Sequence, residues 1–336
     1  MTSRLNLVHA DDRVECEKTV SVNHCRGWFL GTAKAKKKLA EVLTEGDPIF
    51  DREGMERVGG GGSSRISIFD IDFDADSDFD TRMESIQDYH ADKLTAKVYP
   101  DRETMGRAAA EYAAELLNGI LAEQGEARIV VGSAPSQDEF YRYLSEADVD
   151  WSKVEVFHMD EYIGLAADHP QSFRKYQMEH FVGKVGLKAF HPIRGEAEDP
   201  QAECDRLHAL LAEKPIDLVC LGIGENGHLA FNDPPVADFE DPVYAKIVEL
   251  DDICRQQQVN DGCFPDFDSV PARAITLTLR VFREARHLSG VVPAPTKAEA
   301  VKATLFGGIG TACPATLMRQ HPSARLHLEP ESASLL

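Results

Sequence analysis

The chain has 336 residues, 43% hydrophobic and 28% charged, enough for one large α/β domain or two smaller ones. Its 36 Lys and Arg against 57 Asp and Glu leave a formal charge of −21, which repels nucleic acid and anionic membranes and argues against either as a partner. No stretch approaches about 18 uninterrupted apolar residues, so no membrane-spanning helix is expected.

Residues 1–91 differ in texture from the rest. They hold a basic patch from Lys34 to Lys38, a linker-like glycine run from Gly59 to Gly62, and an acidic series from Asp70 to Asp80. The series lacks the sixth-position Gly and twelfth-position Glu of an EF-hand loop, so calcium is not expected. The segment reads as an acidic, partly disordered extension with no assigned function. Asp11, Asp12, Glu15 and Glu17, with no long apolar run, speak against a signal peptide. Seven scattered cysteines (16, 25, 204, 220, 254, 263 and 313) form no CxxC pair and suit reduced thiols in a cytoplasmic protein.

From Leu94 strands and helices alternate. Leu94 to Tyr99 predicts a strand, and Pro100-Asp101 starts a helix whose buried face is Met105, Ala109, Tyr112, Ala113, Leu116, Leu117 and Ile120. A buried strand follows at Ile129 to Val131, then Gly132-Ser133-Ala134 and a helix from about Ser136. A strand, a small-residue turn and a helix N-terminus make either a phosphate cradle or an ordinary tight βα turn. The next strand, Val154 to Phe157, runs into His158-Met159-Asp160-Glu161-Tyr162. Adjacent carboxylates at a strand's carboxyl end face the ligand crevice of an open α/β sheet. His158 and Asp160 lack a third and fourth partner for zinc. A helix is expected over Ser172 to Phe181, and another after the N-cap Asp199 and Pro200.

Ile216 to Pro235, IDLVCLGIGENGHLAFNDPP, carries the densest chemistry. The apolar run Ile216 to Leu221 predicts a buried parallel strand, with Cys220 in the core. Gly222, Gly224 and Gly227 then allow a sharp turn and close approach to a ligand. Asn226, His228 and Asp233 follow, an imidazole able to move protons near neutral pH beside a carboxylate able to orient it. The glycines also satisfy GxGxxG, but Pro234 and Pro235 stop the helix that a dinucleotide site requires, so the match is a coincidence. Beyond lie a charged segment from Asp251 to Gln258, a loop from Asn260 to Phe267, strands at Ala274 to Leu279 and Leu288 to Val292, and a last strand near Ala324 to Leu328. Lys297 opens a helix to about Leu305, where it opposes the macrodipole; it either faces solvent or awaits an anion. There is no internal repeat. The alternation predicts a single Rossmann-like α/β domain over residues 92–336, a mainly parallel sheet flanked by helices on both faces.

VGSAPSQ, FHMDEYIGL and LGIGENGHLAFNDPP, in this order and spacing, resemble the glucosamine-6-phosphate deaminase/isomerase family, which shares its fold with 6-phosphogluconolactonases. The resemblance runs from about Leu94 to the C-terminus and includes DDICRQQQVNDGCF and PTKAEAV; MDEY distinguishes the aminosugar enzymes from the lactonases. It implies conversion of D-glucosamine 6-phosphate and water to fructose 6-phosphate and ammonia, without metal or other cofactor. Asp160 matches the carboxylate base, and His228 the ring-opening residue, supported by Asn226 and Asp233. The phosphate would sit against Gly132, Ser133, Ala134 and Ser136 with Lys297 as cation, Arg255 as a candidate second cation, and Glu161 and Gly224 lining the site. The chain departs from many relatives in having Asn226 for Asp and Asp233 for Glu. The partner implied is a small aminosugar phosphate, in a protein compatible with a homo-oligomer. The competing readings are a lactonase, which would need His228 but not Asp160, and a non-catalytic sugar-phosphate sensor, which would normally bring a basic DNA-binding module.

Overall fold

The computed structural model describes residues 84–336; the basic patch, glycine run, acidic series, Cys16 and Cys25 lie outside the described residues. Within them, eight strands share one sheet: β1 (Gln87–Ala91), β2 (Leu94–Val98), β3 (Ala127–Val131), β4 (Val154–His158), β6 (Ala189–His191), β7 (Leu218–Leu221), β10 (His287–Val292) and β11 (Ala324–Leu328). A second, three-stranded sheet holds β5 (Asp160–Tyr162), β8 (Ala245–Glu249) and β9 (Arg273–Leu277). The helices are α1 (Arg102–Gln124), α2 (Asp138–Glu146), α3 (Phe173–His180), α4 (Pro200–Glu213), α5 (Asp252–Asn260), α6 (Leu279–Glu284) and α7 (Ala298–Phe306).

The large sheet runs β1-β2-β11-β10-β7-β3-β4-β6. Every neighbouring pair is parallel except the β1–β2 hairpin. From β6 to β11 this is the doubly wound order 3-2-1-4-5-6. The chain therefore winds outward through β3, β4 and β6, returns to β7, and winds the other way. The carboxyl ends of β3 and β7 diverge, and the crevice between them is where such sheets hold ligands.

Successive strand residues serve opposite faces. Ile129 and Val131 of β3 and Leu218 and Cys220 of β7 join a core with Met105, Ala109 and Leu117 of α1 and Phe140 and Leu144 of α2. Val130, Val219 and Leu221 point the other way, to Leu207 and Leu211 of α4 and Val301 and Leu305 of α7. With both faces covered, these strands read as unbroken apolar runs, and each buried aliphatic side chain contributes about 1.5–3 kcal/mol. The expected helix starts are present: Asp101 accepts the Thr104 amide before α1, Ser172 that of Lys175 before α3, and Asp199 those of Gln201 and Ala202 before α4.

Two features differ from the sequence expectation. β1 lies inside the segment assigned to the extension, yet pairs with β2 along its whole length, so the sheet begins at Gln87. The strand at Ala274 does not join the parallel sheet: β9 pairs antiparallel with both β5 and β8. A single residue, Met159, separates β4 from β5, so the chain leaves one sheet and enters the other there. Tyr162, Phe231, Val248, Leu250, Cys254 and Phe264 form a third core that covers the small sheet.

Candidate active site

The turn after β7 is built around one imidazole. Gly224 donates its amide to the His228 carbonyl at 3.1 Å, and Gly227 donates to the Gly224 carbonyl at 2.9 Å. Gly227 has φ 82°, and a Cβ there would lie 2.6 Å from Cys313 Sγ, so glycine is required on both counts. Nδ1 of His228 lies 2.8 Å from Asn226 Oδ1 and 2.9 Å from Asp233 Oδ1, and Asn226 Nδ2 donates to that same Asp233 oxygen at 2.9 Å. Two acceptors therefore claim the Nδ1 proton. This leaves Nε2 as the nitrogen free to exchange protons with a ligand. Burial alone would raise the Asp233 carboxyl, but the hydrogen bonds from His228 and Asn226 hold it below the usual carboxylate range. No helix opens at Gly227, so the GxGxxG spacing is indeed accidental.

Asp160 reaches the site from the small sheet. It pairs with Thr276 across β5 and β9, and the Thr276 hydroxyl accepts the amide of Phe231, three residues after His228. Its carboxyl is pushed well above the ordinary aspartate range by burial, then by the charges of Glu161 and Asp233. Asp233 thus bears on both groups: it holds His228 by contact, and its charge raises the Asp160 carboxyl.

Glu161, expected to line the site, is engaged elsewhere. Its two oxygens accept the Ser172 hydroxyl and the amides of Tyr162, Phe173 and Arg174, at 2.8 to 3.1 Å. The carboxylate closes the N-terminus of α3, where orphan amides and the macrodipole favour an anion. His158 is also internal: its Nε2 accepts the Ile193 amide at 2.6 Å, and burial lowers it to about 3, so the ring is neutral.

The turn after β3 presents fewer donors than its sequence suggests. Gly132 gives its amide to the Cys220 carbonyl at 2.9 Å, so this N–H belongs to the sheet. Its contribution is clearance, since a Cβ would meet Met159 Cε at 3.3 Å. Gln177 of α3 donates to the Gly132 carbonyl at 2.7 Å and to Ser133 Oγ at 3.0 Å, while Gln137 donates to Ser136 Oγ at 3.1 Å. Both hydroxyls are thereby left with a proton to donate outward. The Ala134 carbonyl accepts the Tyr176 hydroxyl at 2.7 Å. The amides of Ser133 and Ala134 have no backbone acceptor among the described residues.

Lys297 is the N-cap of α7 and is 5% exposed, with no hydrogen-bond partner for Nζ among the described residues. Burial lowers its pKa, partly offset by the charges of Asp261 and Glu225. A buried ammonium without a partner is costly, and an anionic ligand would supply one. Arg255 does not share this position. Its Nη2 donates to the carbonyls of Phe267 and Val270 at 2.9 and 3.0 Å, and the guanidinium lies 3.9 Å over the Phe267 ring, so it secures that loop.

Two further residues near the site lie in the DDICRQQQVNDGCF segment of the resemblance without being singled out there as site residues. Gln257 of α5 accepts the Glu225 amide at 2.9 Å, fixing the glycine turn from above. Cys254 brings its thiol to within 4.8 Å of ligand atoms of His228 and Asp233. This is a three-donor cluster of metal-ligating types, but His228 and Asp233 are already bonded to one another and the thiol is raised well above its usual range by burial and by Asp233 and Asp160.

Known proteins resemble this chain in sequence and fold. The family model for glucosamine-6-phosphate isomerases/6-phosphogluconolactonase matches residues 100–247. A glucosamine-6-phosphate deaminase of Listeria innocua is 35% identical over 208 residues, 62% of this chain and 86% of that protein. One from Exiguobacterium sibiricum is 35% identical over 210 residues, 62% of this chain and 80% of its own length. Among solved structures, a monomeric glucosamine-6-phosphate deaminase superposes with TM-score 0.65 at 26% identity, covering 73% of this chain and all of that one. The 6-phosphogluconolactonase of Plasmodium vivax, at 13% identity and TM-score 0.60 over 74% of this chain and 95% of its own, shares the fold. With its doubly wound sheet, its glycine turn after β7 and this degree of identity to curated relatives, the chain belongs to the glucosamine-6-phosphate isomerase/6-phosphogluconolactonase family.

Proposed function

We propose that the protein is a glucosamine-6-phosphate deaminase, converting D-glucosamine 6-phosphate and water to D-fructose 6-phosphate and ammonia. The observation that carries this reading is Asp233, which holds the His228 imidazole at 2.9 Å and acts electrostatically on Asp160. This supports a base and a proton shuttle acting on one small sugar. His228 Nε2 passes a proton to the ring oxygen and accepts one from the anomeric hydroxyl, with Asn226 and Asp233 orienting the ring. Asp160 then takes the C2 proton of the open chain and returns it to C1 through an enolamine. Water adds to the resulting imine and ammonia leaves. Burial keeps bulk water from the carboxylate and strengthens it as a base. Ser133, Ala134 and Ser136 with Lys297 hold the phosphate, and Gly132 and Gly224 give it and the imidazole room.

The chain is acidic overall, and the five described cysteines are free. Among the described residues no helix is long and apolar enough to cross a membrane. A cytoplasmic enzyme with a small phosphorylated aminosugar as partner is the reading these features support. The test is release of ammonia and fructose 6-phosphate from glucosamine 6-phosphate, with and without a chelator. Full activity in the chelator and loss in Asp160→Asn support the assignment. Hydrolysis of 6-phosphogluconolactone by Asp160→Asn, without ammonia release by the parent, would transfer it to the lactonases.

A further inference from the structure

The segment that carries Lys297 adopts a conformation its own residues resist. After β10 the chain runs Pro293-Ala294-Pro295-Thr296-Lys297 into a 3-10 turn (Pro295–Lys297) and then α7. Ala294 lies at φ 82° and ψ 144°. A Cβ is strained there, and the strain is compounded by Pro295, because a residue before proline favours extended, negative φ.

One side chain opposes that strain. Glu329, the residue after β11, is buried and accepts the Ala294 amide on Oε1 at 2.9 Å. The same oxygen accepts the Ser332 amide at 2.9 Å, and Oε2 accepts the Glu331 amide at 2.8 Å. The Ala294 carbonyl in turn accepts the Lys297 amide at 3.1 Å. A continuous line of contacts joins a carboxylate on the C-terminal segment to the buried ammonium that has no partner of its own among the described residues.

We infer that Glu329 is a positioning residue for the phosphate site: it holds Ala294 at positive φ and so sets where the Lys297 ammonium stands. The inference rests on the reading of Lys297 as the phosphate cation. The bonds to Glu331 and Ser332 would account for a turn cap, but not for an alanine before proline kept at positive φ. Without Glu329, Ala294 relaxes towards negative φ and shifts the chain three residues before Lys297. A displaced ammonium holds its anion less tightly. Asp160 on β5 and His228 in the turn after β7 keep their places, so the loss falls on KM rather than kcat. A glycine at 294 adopts the same backbone angles without strain and makes the restraint dispensable.

The experiment measures KM for glucosamine 6-phosphate and inhibition by inorganic phosphate, with thermal melting as a check of folding. Glu329→Ala is expected to raise KM and the phosphate inhibition constant about fivefold or more, with kcat within about twofold of the parent. In an Ala294→Gly background the same substitution is expected to change either constant by less than about twofold. Should Glu329→Ala fail to fold, Glu329→Gln, which keeps one accepting oxygen, is compared in the two backgrounds and should show the same contrast at smaller size. Unchanged constants in folded Glu329 variants, or equal losses in both backgrounds, would reduce Glu329 to a turn cap. Lys297→Ala separates the two layers. If it leaves phosphate inhibition unchanged, the reading of Lys297 itself is wrong; if it abolishes inhibition while the Glu329 variants do not weaken it, only the positioning role is lost.

Discussion

Gly224 lies directly against the imidazole of His228: a Cβ built on it would fall inside the van der Waals surface of Cε1, Nε2 and Nδ1. The glycine is therefore a steric condition for the ring's position, in addition to allowing the turn. Gly224→Ala is expected to displace the ring from Asn226 and Asp233 and to lower kcat by about 100-fold or more, the scale of a lost proton-transfer group. Phosphate inhibition should change far less, since Lys297 and Ser133 lie on other loops. Steady-state kinetics with phosphate as inhibitor makes the comparison.

Asp160 must be ionised to act as a base, yet burial and the charges of Glu161 and Asp233 raise its pKa. Activity should accordingly fall as pH drops through a value above the ordinary aspartate range of about 3.9. The stability consequence has the opposite sense. A carboxyl whose folded pKa is raised favours the folded state at low pH, and that contribution is lost as pH rises through the folded value. Asp160→Asn removes the buried charge, so it should raise the melting temperature at neutral pH, by about 2–4 °C for each kcal/mol relieved. The gain should shrink in acid, where the parent carboxyl is protonated, while turnover stays about 100-fold or more below the parent. Melting curves across the pH range decide this.

Glu161 supplies the contrasting case. Its four donors are the Ser172 hydroxyl and three backbone amides, two of them in the first turn of α3. Glu161→Ala leaves those groups unpaired in a buried place, at a cost of about 2–4 kcal/mol. Denaturant unfolding should report that loss. A variant that melted like the parent but failed to bind sugar phosphate would restore the expectation that Glu161 touches substrate.

Arg255→Ala tests the division of labour between the two cations. The guanidinium holds the Phe267 and Val270 carbonyls, so its removal should loosen that loop and leave phosphate inhibition within about twofold. Lys297→Ala should weaken phosphate inhibition by about tenfold or more. Equal effects of the two substitutions would contradict this assignment.

The large sheet was legible because strands buried on both faces carry uninterrupted apolar runs, as Leu218–Leu221 does, and because the helix starts at Asp101, Ser172 and Asp199 have side chains that cap. The helix α5 carries little sequence signal for the converse reason. Its buried residues are Cys254, Gln257 and Gln258, a face that packs through amide hydrogen bonds and leaves little apolar periodicity to detect. In the sequence the short strand β5 continues β4, because nothing in Met159 announces a change of sheet. At the site, the residue types of Asp160, His228 and Asp233 pointed to their neighbourhood, since chemistry limits which side chains serve. Glu161 and Arg255 did not, because a buried carboxylate or guanidinium satisfies backbone groups as readily as it meets a ligand, and the sequence carries no sign of which partner is nearer.

Asp160 and His228 ride on different platforms. Asp160 belongs to a three-stranded antiparallel layer, His228 to the loop of an eight-stranded parallel one, and the Thr276 hydroxyl with the aromatic cluster around Tyr162 and Phe231 couples them. The span available to a sugar between these two groups is thus a property of how the layers seat on each other. Repacking that aromatic seam is a route to retuning which hexose fits, with both reacting groups and their immediate neighbours left as they are.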